Sequence, residues 1–206
     1  MNKKIGIINY GSGNYFSVLN AINFLGYETI EITKDEDFNI VNNIIIPGVG
    51  SYKACMDNLK KKKLLESLFT NINKNKFFLG ICVGMQILST FGLEFNQSQG
   101  LDLIKGKTIK MENKKLKVPH MGWSEIKINK ESNIFKNIQD KSSFYFLHSY
   151  HFECKNKKNI SSFVEYENTY VASIEKNNIY GVQFHPEKSQ RNGLILLDNF
   201  CKLKYE

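Results

Sequence analysis

The chain has 206 residues, 42% of them hydrophobic and 13% aromatic, which fits a globular domain and excludes a disordered tail, a collagen-like repeat and a disulfide-dense miniprotein. Lys and Arg outnumber Asp and Glu by 28 to 20, but the lysines are scattered, and no zinc-finger spacing or basic helical stripe indicates nucleic-acid binding. No apolar run approaches the ~18 residues of a membrane helix and the start lacks the apolar core of a signal peptide, so we expect a cytoplasmic protein.

The first half of the chain alternates strand and helix patterns. Isoleucine-rich apolar segments predict strands, and apolar residues three or four apart predict helices. In chain order these are a strand (4–9), a helix (16–25), strands (27–32 and 43–46), a long helix (54–72), a strand (77–81) and a helix (85–91). This alternation predicts a parallel sheet with helices on both faces.

The pattern changes at about residue 101, where short alternating segments begin. They predict strands at 108–111, 116–118, 124–128, 143–147, 161–166, 170–174 and 179–184, several of them antiparallel, and a closing helix at 192–203. We therefore predict one α/β domain over residues 1–206. It would have a central, mostly parallel sheet, flanking helices and an antiparallel extension.

The sharpest chemical signal is Cys82, which sits in the sequence GICVGMQ between an apolar strand and a helix. This G-x-C-x-G arrangement is the thiol version of a nucleophile elbow. Gly80 and Gly84 would let strand and helix approach closely, and backbone N–H groups at the helix start would favour a thiolate and hold an oxyanion. A lone cysteine is more often a buried structural residue. The two glycines favour the functional interpretation.

A thiolate that transfers acyl groups needs a base and a residue that orients it. His185 and Glu187 lie two residues apart around Pro186, so in an extended chain their side chains point to one side. His-Pro-Glu alone would indicate a surface turn. Together with Cys82 it predicts a Cys-His-Glu triad.

Two further segments bear on this site. The glycine-rich loop Gly48–Gly50 follows a buried strand, and its N–H groups could face the oxyanion together with Val83 N–H. It lacks the G-K-[ST] ending of a phosphate-binding loop. His148 and His151 would fall on opposite faces of one strand, which argues against a shared metal ion and favours wall or packing roles.

Taken together, these segments resemble class I (triad-type) glutamine amidotransferases, and more closely the glutaminase subunits of imidazole glycerol phosphate synthase. The similarity runs from Ile5 to Phe200. Besides GICVGMQ, five motifs carry it in order: YGSGN (10–14), PGVG (47–50), PHMGW (119–123), FLHSY (146–150) and GVQFHPEKSQ (181–190). The resemblance implies the flavodoxin-like class I amidotransferase fold.

The resemblance also implies a reaction. Cys82 would attack the carboxamide of L-glutamine, with Val83 N–H and the Gly48, Val49 and Gly50 loop holding the oxyanion. His185 would protonate the departing ammonia and then activate water, oriented by Glu187. No metal and no cofactor are implied.

Binding roles follow from the same family. Residues implied to hold glutamine are Gln86, Glu94, His148, Ser149 and Tyr150, and residues implied to face the partner are Asn14 and Lys188. The partner would be a (β/α)₈-barrel synthase subunit in a heterodimer. It would receive the ammonia and make imidazole glycerol phosphate and AICAR in histidine biosynthesis.

Departures from the family pattern leave the partner open. Asn9 stands where Asp is common, and Tyr15–Ser17 replaces Leu-Arg-Ser. An alternative is a second-copy glutaminase that supplies ammonia to a sugar amidotransferase for surface-polysaccharide or flagellar glycan synthesis. A rival of another class is a degenerate module that docks without chemistry, but Cys82, His185 and Glu187 are all present.

Overall fold

The structure, a computed structural model, describes residues 3–11 and 13–204; Ser12 of the YGSGN motif lies outside them. The helices are α1 (Tyr15–Phe24), α2 (Tyr52–Lys61), α3 (Leu65–Asn73), α4 (Val83–Gln86) and α5 (Gln190–Lys202). The strands are β1 (Lys4–Ile8), β2 (Glu28–Ile32), β3 (Asn43–Ile46), β4 (Phe77–Ile81), β5 (Phe91–Gly92), β6 (Ser98–Gln99), β7 (Gly106–Lys110), β8 (His120–Ile128), β9 (Ser143–His148), β10 (Tyr150–Cys154), β11 (Ile160–Tyr166), β12 (Asn168–Lys176) and β13 (Ile179–Val182).

Nine of these strands form one sheet in the order β2-β1-β3-β4-β13-β12-β11-β8-β9. The first five run parallel, and β12, β11, β8 and β9 continue the sheet antiparallel. The predicted parallel sheet with an antiparallel extension is confirmed. The sequence did not predict the second sheet, in the order β10-β7-β5-β6.

The core lies around the middle of the parallel half. Every residue of β3, β4 and β13 is buried, as expected for parallel strands covered on both faces. In the register of the two neighbouring parallel strands, Ile81 of β4 lies opposite Val182 of β13. The segments after these two strands therefore emerge at the same edge of the sheet. Over the described ranges, no helix has the length and apolar character needed to cross a membrane.

The long helix predicted for 54–72 is wrong, because the chain turns between α2 and α3. Lys63 adopts φ 57°, and Leu64 N–H donates to Leu59 O across the turn. Leu64 is fully buried, so the turn places an apolar residue in the core. Lys60 and Lys61 end α2, where cations favour the helix dipole.

The helix predicted for 85–91 is also shorter than expected. It ends at Gln86, and Phe91 and Gly92 enter the second sheet instead. Close packing against Tyr52 explains this path. A Cβ on Gly92 would stand 2.7 Å from the Tyr52 ring, and one on Gly100 would stand 2.1 Å from its hydroxyl.

Two smaller expectations need correction. No strand forms at 116–118; instead the Glu167 carboxylate accepts hydrogen bonds from Lys114 N–H, Lys115 N–H and Leu116 N–H at 2.8–2.9 Å. His148 and His151 do not share a strand, because β9 ends at His148 and β10 begins at Tyr150.

Candidate active site

A cavity of about 290 Å³ opens where β4 and β13 end. Its lining includes most of the predicted site residues: Val49, Gly50, Cys82, Val83, Gln86, Glu94, His148, Ser149, Tyr150 and His185. Pro119 and Leu147, which the sequence did not single out, complete it. Gly48, Glu187, Asn14 and Lys188 do not line the cavity.

Cys82 sits on a strained turn between β4 and α4. Its φ of 54° and ψ of −110° are rare for a residue with a side chain, and such strain is concentrated at functional sites. Its N–H donates to Val182 O at 2.8 Å, which ties the turn to β13. A Cβ on Gly80 would stand 2.4 Å from Gly84 O, and one on Gly84 would stand 2.1 Å from Ile46 O. Glycine at both positions is therefore required, as predicted from the motif.

His185 and Glu187 form a buried pair beside Cys82. His185 Nδ1 lies 2.8 Å from Glu187 Oε1, and both side chains are almost completely buried. His185 N–H donates to Tyr145 O at 2.8 Å, which fixes the backbone. Because Nδ1 is engaged by the carboxylate, Nε2 is left to act.

The electrostatics of His185 reflect two opposed effects. Burial alone lowers its pKa, but the charges of Cys82 and Glu187 outweigh burial and raise the pKa well above its ordinary value. The imidazole therefore holds its proton at neutral pH. A protonated His185 next to the sulfur is suited to donate a proton to a leaving group.

Asn14, which the resemblance assigns to the partner-facing side, is packed against the histidine–carboxylate pair in this chain. Its side chain is buried, and its Nδ2 donates to Glu187 Oε1 at 3.2 Å. The amide thus supports the carboxylate that orients His185. Lys188, in contrast, is exposed, with its Nζ 6.0 Å from the centre of the Tyr145 ring.

One predicted oxyanion donor is occupied in this conformation. Val83 N–H donates to Gly48 O at 3.3 Å, so this N–H is already bonded to a carbonyl. Gly48 is held tightly, since a Cβ there would stand 2.4 Å from Gly84 N. Gly50 has φ +99° and open space around it. The loop is therefore fixed at one end and conformationally permissive at the other.

The side-chain nitrogen of Gln86 donates both of its hydrogen bonds to groups within the protein. Its Nε2 donates to Tyr150 O at 2.8 Å and to Gln183 Oε1 at 3.0 Å. Gln183, whose Nε2 lies 3.6 Å from Cys82 Sγ, was not among the site residues predicted from sequence. Its position two residues before His185 was an available signal, because alternate residues of an extended chain point to the same side.

Glu94 borders the cavity next to α2. Its Oε2 accepts a hydrogen bond from Tyr52 N–H, the first residue of that helix, at 2.6 Å. The carboxylate thereby satisfies one of the unpaired N–H groups of a helix start. It brings a negative charge to the cavity wall.

The other cavity histidine, His148, is held neutral. Burial lowers the pKa of His148 to about 3 and that of its neighbour His120 to about 4. His148 Nδ1 donates to Tyr150 O at 2.9 Å, and His120 Nδ1 lies 3.1 Å from His148 Nε2. Since a backbone carbonyl only accepts, His148 Nε2 is the acceptor from His120. His120 is stacked between Phe146 and Tyr166. His148 therefore forms part of the wall.

For metal ions, the described residues contain no group of three His, Cys, Asp or Glu side chains that could hold one. The four cysteines are free thiols, of which Cys154 is half-buried and the others buried.

Comparison with known proteins assigns the family. Residues 7–203 match the family model described as "Glutamine amidotransferase class-I". The chain belongs to this family. A Pelagibacter ubique protein named "Imidazole glycerol phosphate synthase subunit HisH" is 43% identical over 97% of this chain and 99% of its own. A Pyrococcus furiosus protein of the same name is 41% identical over 97% and 99%. The resemblance stated from the motifs is confirmed.

Solved structures in the amidotransferase family support the fold. "Structure of PurLQS from Thermotoga maritima" matches with a TM-score of 0.76 and 17% identity, covering 97% of this chain and 98% of that one. A glutamine amidotransferase from Thermotoga maritima matches with a TM-score of 0.64 and 14% identity, covering 97% and 83%. At these identities the likeness concerns the fold alone.

Proposed function

We propose that this class-I amidotransferase hydrolyses L-glutamine to glutamate and ammonia, with Cys82, His185 and Glu187 as its catalytic residues. The observation that carries the proposal is the convergence of a strained cysteine and a buried histidine–carboxylate pair on one cavity. Each group has the chemical environment its role needs. Cys82 is the nucleophile, His185 the acid and base, and Glu187 orients the imidazole.

The reaction proceeds in two steps. The sulfur of Cys82, as thiolate, attacks the carboxamide carbon of glutamine; the C–N bond then breaks as His185 Nε2–H protonates the departing ammonia. The neutral imidazole next removes a proton from water, which attacks the thioester. The C–S bond breaks, glutamate leaves and the thiolate is restored.

The cavity wall supplies a carboxylate and neutral polar groups for binding. Glu94 presents a carboxylate for the ammonium group of glutamine, and the segment from His148 to Tyr150 is proposed to hold its α-carboxylate. Gln86 can contribute its side-chain oxygen, since its nitrogen already donates twice within the protein. These residues are proposed to orient the substrate.

The Gly48–Gly50 loop acts as a gate in this proposal. With Gly48 O on Val83 N–H, the oxyanion lacks a donor that the reaction needs. Rotation of a peptide in this loop would replace a carbonyl with an N–H. One such donor is worth roughly 10²–10³ in rate, so partner binding can switch hydrolysis by biasing the loop.

The ammonia acceptor is proposed to be a (β/α)₈-barrel synthase subunit that forms a cytoplasmic heterodimer with this chain in histidine biosynthesis. The names of the relatives reported above support that pathway, and they do not favour the surface-sugar alternative. An exposed apolar patch beside Lys188 supports a docking face: Met121 is 61% and Trp123 48% exposed, and Trp123 packs edge-on against Tyr145.

The proposal is tested by measuring glutamate release from L-glutamine, with L-asparagine as the control substrate. The chain is assayed with the barrel partner of an imidazole glycerol phosphate synthase and its nucleotide acceptor. Release from glutamine but not from asparagine is expected. No release from glutamine by a folded, partner-bound chain with Cys82 intact would refute the proposal.

A further inference from the structure

Gln183 is a fully buried amide next to Cys82. It directly follows β13, and its backbone N–H donates to Ala172 O at 2.8 Å. Its side chain lies between two site residues, with Oε1 3.0 Å from Gln86 Nε2 and Nε2 3.6 Å from Cys82 Sγ. Burying a polar amide costs free energy unless it is hydrogen-bonded, so both ends of this side chain have defined partners.

The hydrogen-bond chain fixes which end of Gln183 meets the sulfur. It starts at Tyr150 O, which can only accept, so Gln86 must direct its nitrogen there. The second hydrogen of the same nitrogen points at Gln183, whose side-chain oxygen accepts the hydrogen bond. The nitrogen of Gln183 is thereby directed at Cys82.

A second group competes for the Cys82 sulfur. Leu147 O lies 3.8 Å from Sγ, where it can accept a hydrogen bond only from the neutral thiol. The side-chain amide of Gln183 can donate from Nε2 to the sulfur in either state, and it does so more strongly to an anion. The two contacts therefore favour opposite protonation states.

We infer that Gln183 is a positioning residue that holds Cys82 as an oriented thiolate, and that Gln86 serves to keep the Gln183 amide from flipping. The inference rests on the proposed glutaminase function and deepens it. A flipped amide would set an oxygen against the thiolate. Since this series of hydrogen bonds begins at Tyr150 O, it links the cavity wall to the nucleophile.

The test is the pH profile of Cys82 alkylation by iodoacetamide in the isolated chain. Mass spectrometry of the Cys82 peptide separates this reaction from those at the other three cysteines. Only the thiolate reacts, so the profile reports the fraction of thiolate. Gln183→Met keeps the length of the side chain and removes its donor. We expect its alkylation rate at pH 7 to fall by roughly tenfold and its profile to move to higher pH, because a hydrogen bond to a charged group is lost.

A second variant removes only the anchor. Gln86→Met leaves Gln183 present but free to flip, so we expect a smaller shift in the same direction, roughly threefold at pH 7. It also keeps the inference testable if Gln183→Met does not fold. In glutamine hydrolysis by the complex, Gln183→Met should lower kcat with little change in KM.

Asn43→Leu is the matched control. Asn43 is another buried amide, and its Nδ2 donates to Phe200 O at 2.9 Å. It is the first residue of β3, so it lies at the amino ends of the parallel strands, whereas the cavity lies at their carboxyl ends. We expect lower thermal stability and an unchanged alkylation profile. The inference would be overturned if the alkylation profiles of Gln183→Met and Gln86→Met both superimpose on that of the unaltered chain. An equal shift of the profile in Asn43→Leu would also overturn it.

These outcomes are independent of the proposed function. If the complex releases glutamate while the Cys82 profiles do not move, Gln183 has no positioning role and the glutaminase assignment stands. If the complex releases no glutamate, that assignment fails, whatever the alkylation profiles show.

Discussion

The parallel and antiparallel halves of the large sheet contribute to the candidate site in different ways. The parallel half supplies the proposed reacting groups: Cys82 follows β4, and His185 and Glu187 follow β13, its neighbour. The antiparallel half supplies walls, with His148 at the end of β9 and Pro119 just before β8. Within the site, the strained Cys82 and the His185–Glu187 pair follow strands of the parallel half, whereas His148 and His120 of the antiparallel half are neutral and packed.

This difference places the proposed reacting groups on one half of the sheet and the cavity walls on the other. Two adjacent parallel strands that end at the same edge bring a nucleophile and a base together through backbone register alone. The antiparallel strands then close one side of the cavity. Changes in the parallel half should therefore lower the rate of reaction, and changes in the antiparallel half should lower stability or substrate affinity.

The largest expected effect is the loss of Cys82. In Cys82→Ala, glutamine-dependent synthesis by the complex should fall by roughly 10⁴-fold or more, the scale on which removal of a triad nucleophile acts. Synthesis from ammonium salts should be spared, because the acceptor reaction is proposed to lie on the other subunit. Product formation from each nitrogen source measures this. Cys154→Ser, half-buried and remote from the cavity, is the control, and equal loss of both activities in Cys82→Ala would contradict the division of labour.

The proposed base of the parallel half, His185, and the histidines of the antiparallel half should differ in their contribution to kcat. His185→Asn should lower kcat by roughly 10²–10⁴, the value of general acid–base assistance. His148→Asn and His120→Asn should cost far less in kcat, since burial keeps the pKa values of both histidines low and neither has an orienting carboxylate. Steady-state kinetics with saturating glutamine measures both. A loss at His148 equal to that at His185 would point to a different base.

The parallel half was also the more predictable from sequence. β3 and β4 are short, completely buried and mostly apolar, and they match their predicted bounds. The strained elbow after β4 follows from Gly80 and Gly84. The split between α2 and α3 was missed because apolar spacing continues through the turn at Lys63. The antiparallel half depends on distant pairings: Glu167 holds a loop about fifty residues away, which no local pattern reveals.

Within the site, the residue types could be predicted but the orientation of their groups could not. Cys82, His185 and Glu187 belong to recognisable motifs. That Val83 N–H is occupied by Gly48 O, or that Asn14 turns inward to Glu187, depends on three-dimensional packing.

A gate in the parallel half predicts slow hydrolysis by the isolated chain. Adding the barrel partner and its acceptor should raise glutamate release by roughly 10²–10³, the value of one oxyanion donor. Gly50→Ala should change this stimulation by roughly tenfold, because a side chain disfavours the φ of +99°.

Gly26→Ala is the matched control for Gly50→Ala. Gly26 also has a positive φ, of +84°, with open space around it, but it follows α1 away from the cavity. It should lower stability by about 1 kcal/mol and leave stimulation unchanged. Full-speed hydrolysis by the unaltered chain alone would show that no gate exists.

The antiparallel half should make the fold sensitive to acid. His148 and His120 have native pKa values near 3 and 4, against 6.5 when exposed, so below pH 6.5 the unfolded chain binds more protons. Stability should fall as pH drops from 6.5 toward 4, by on the order of 1–2 kcal/mol per histidine at pH 5. Urea unfolding at pH 7 and pH 5 measures this. The double variant His120→Gln with His148→Gln should lose less stability between these pH values, and an equal loss would show that other groups cause it.

The most direct test of the central claim is mass spectrometry of the chain, with its partner and acceptor, acid-quenched during turnover of L-glutamine. We predict one added γ-glutamyl group on the peptide that contains Cys82, and none on the peptides that contain Cys55, Cys154 or Cys201. A thioester at Cys82 would show that this residue is the nucleophile. Turnover without any adduct at Cys82, together with undiminished glutamate release by Cys82→Ala, would contradict the account.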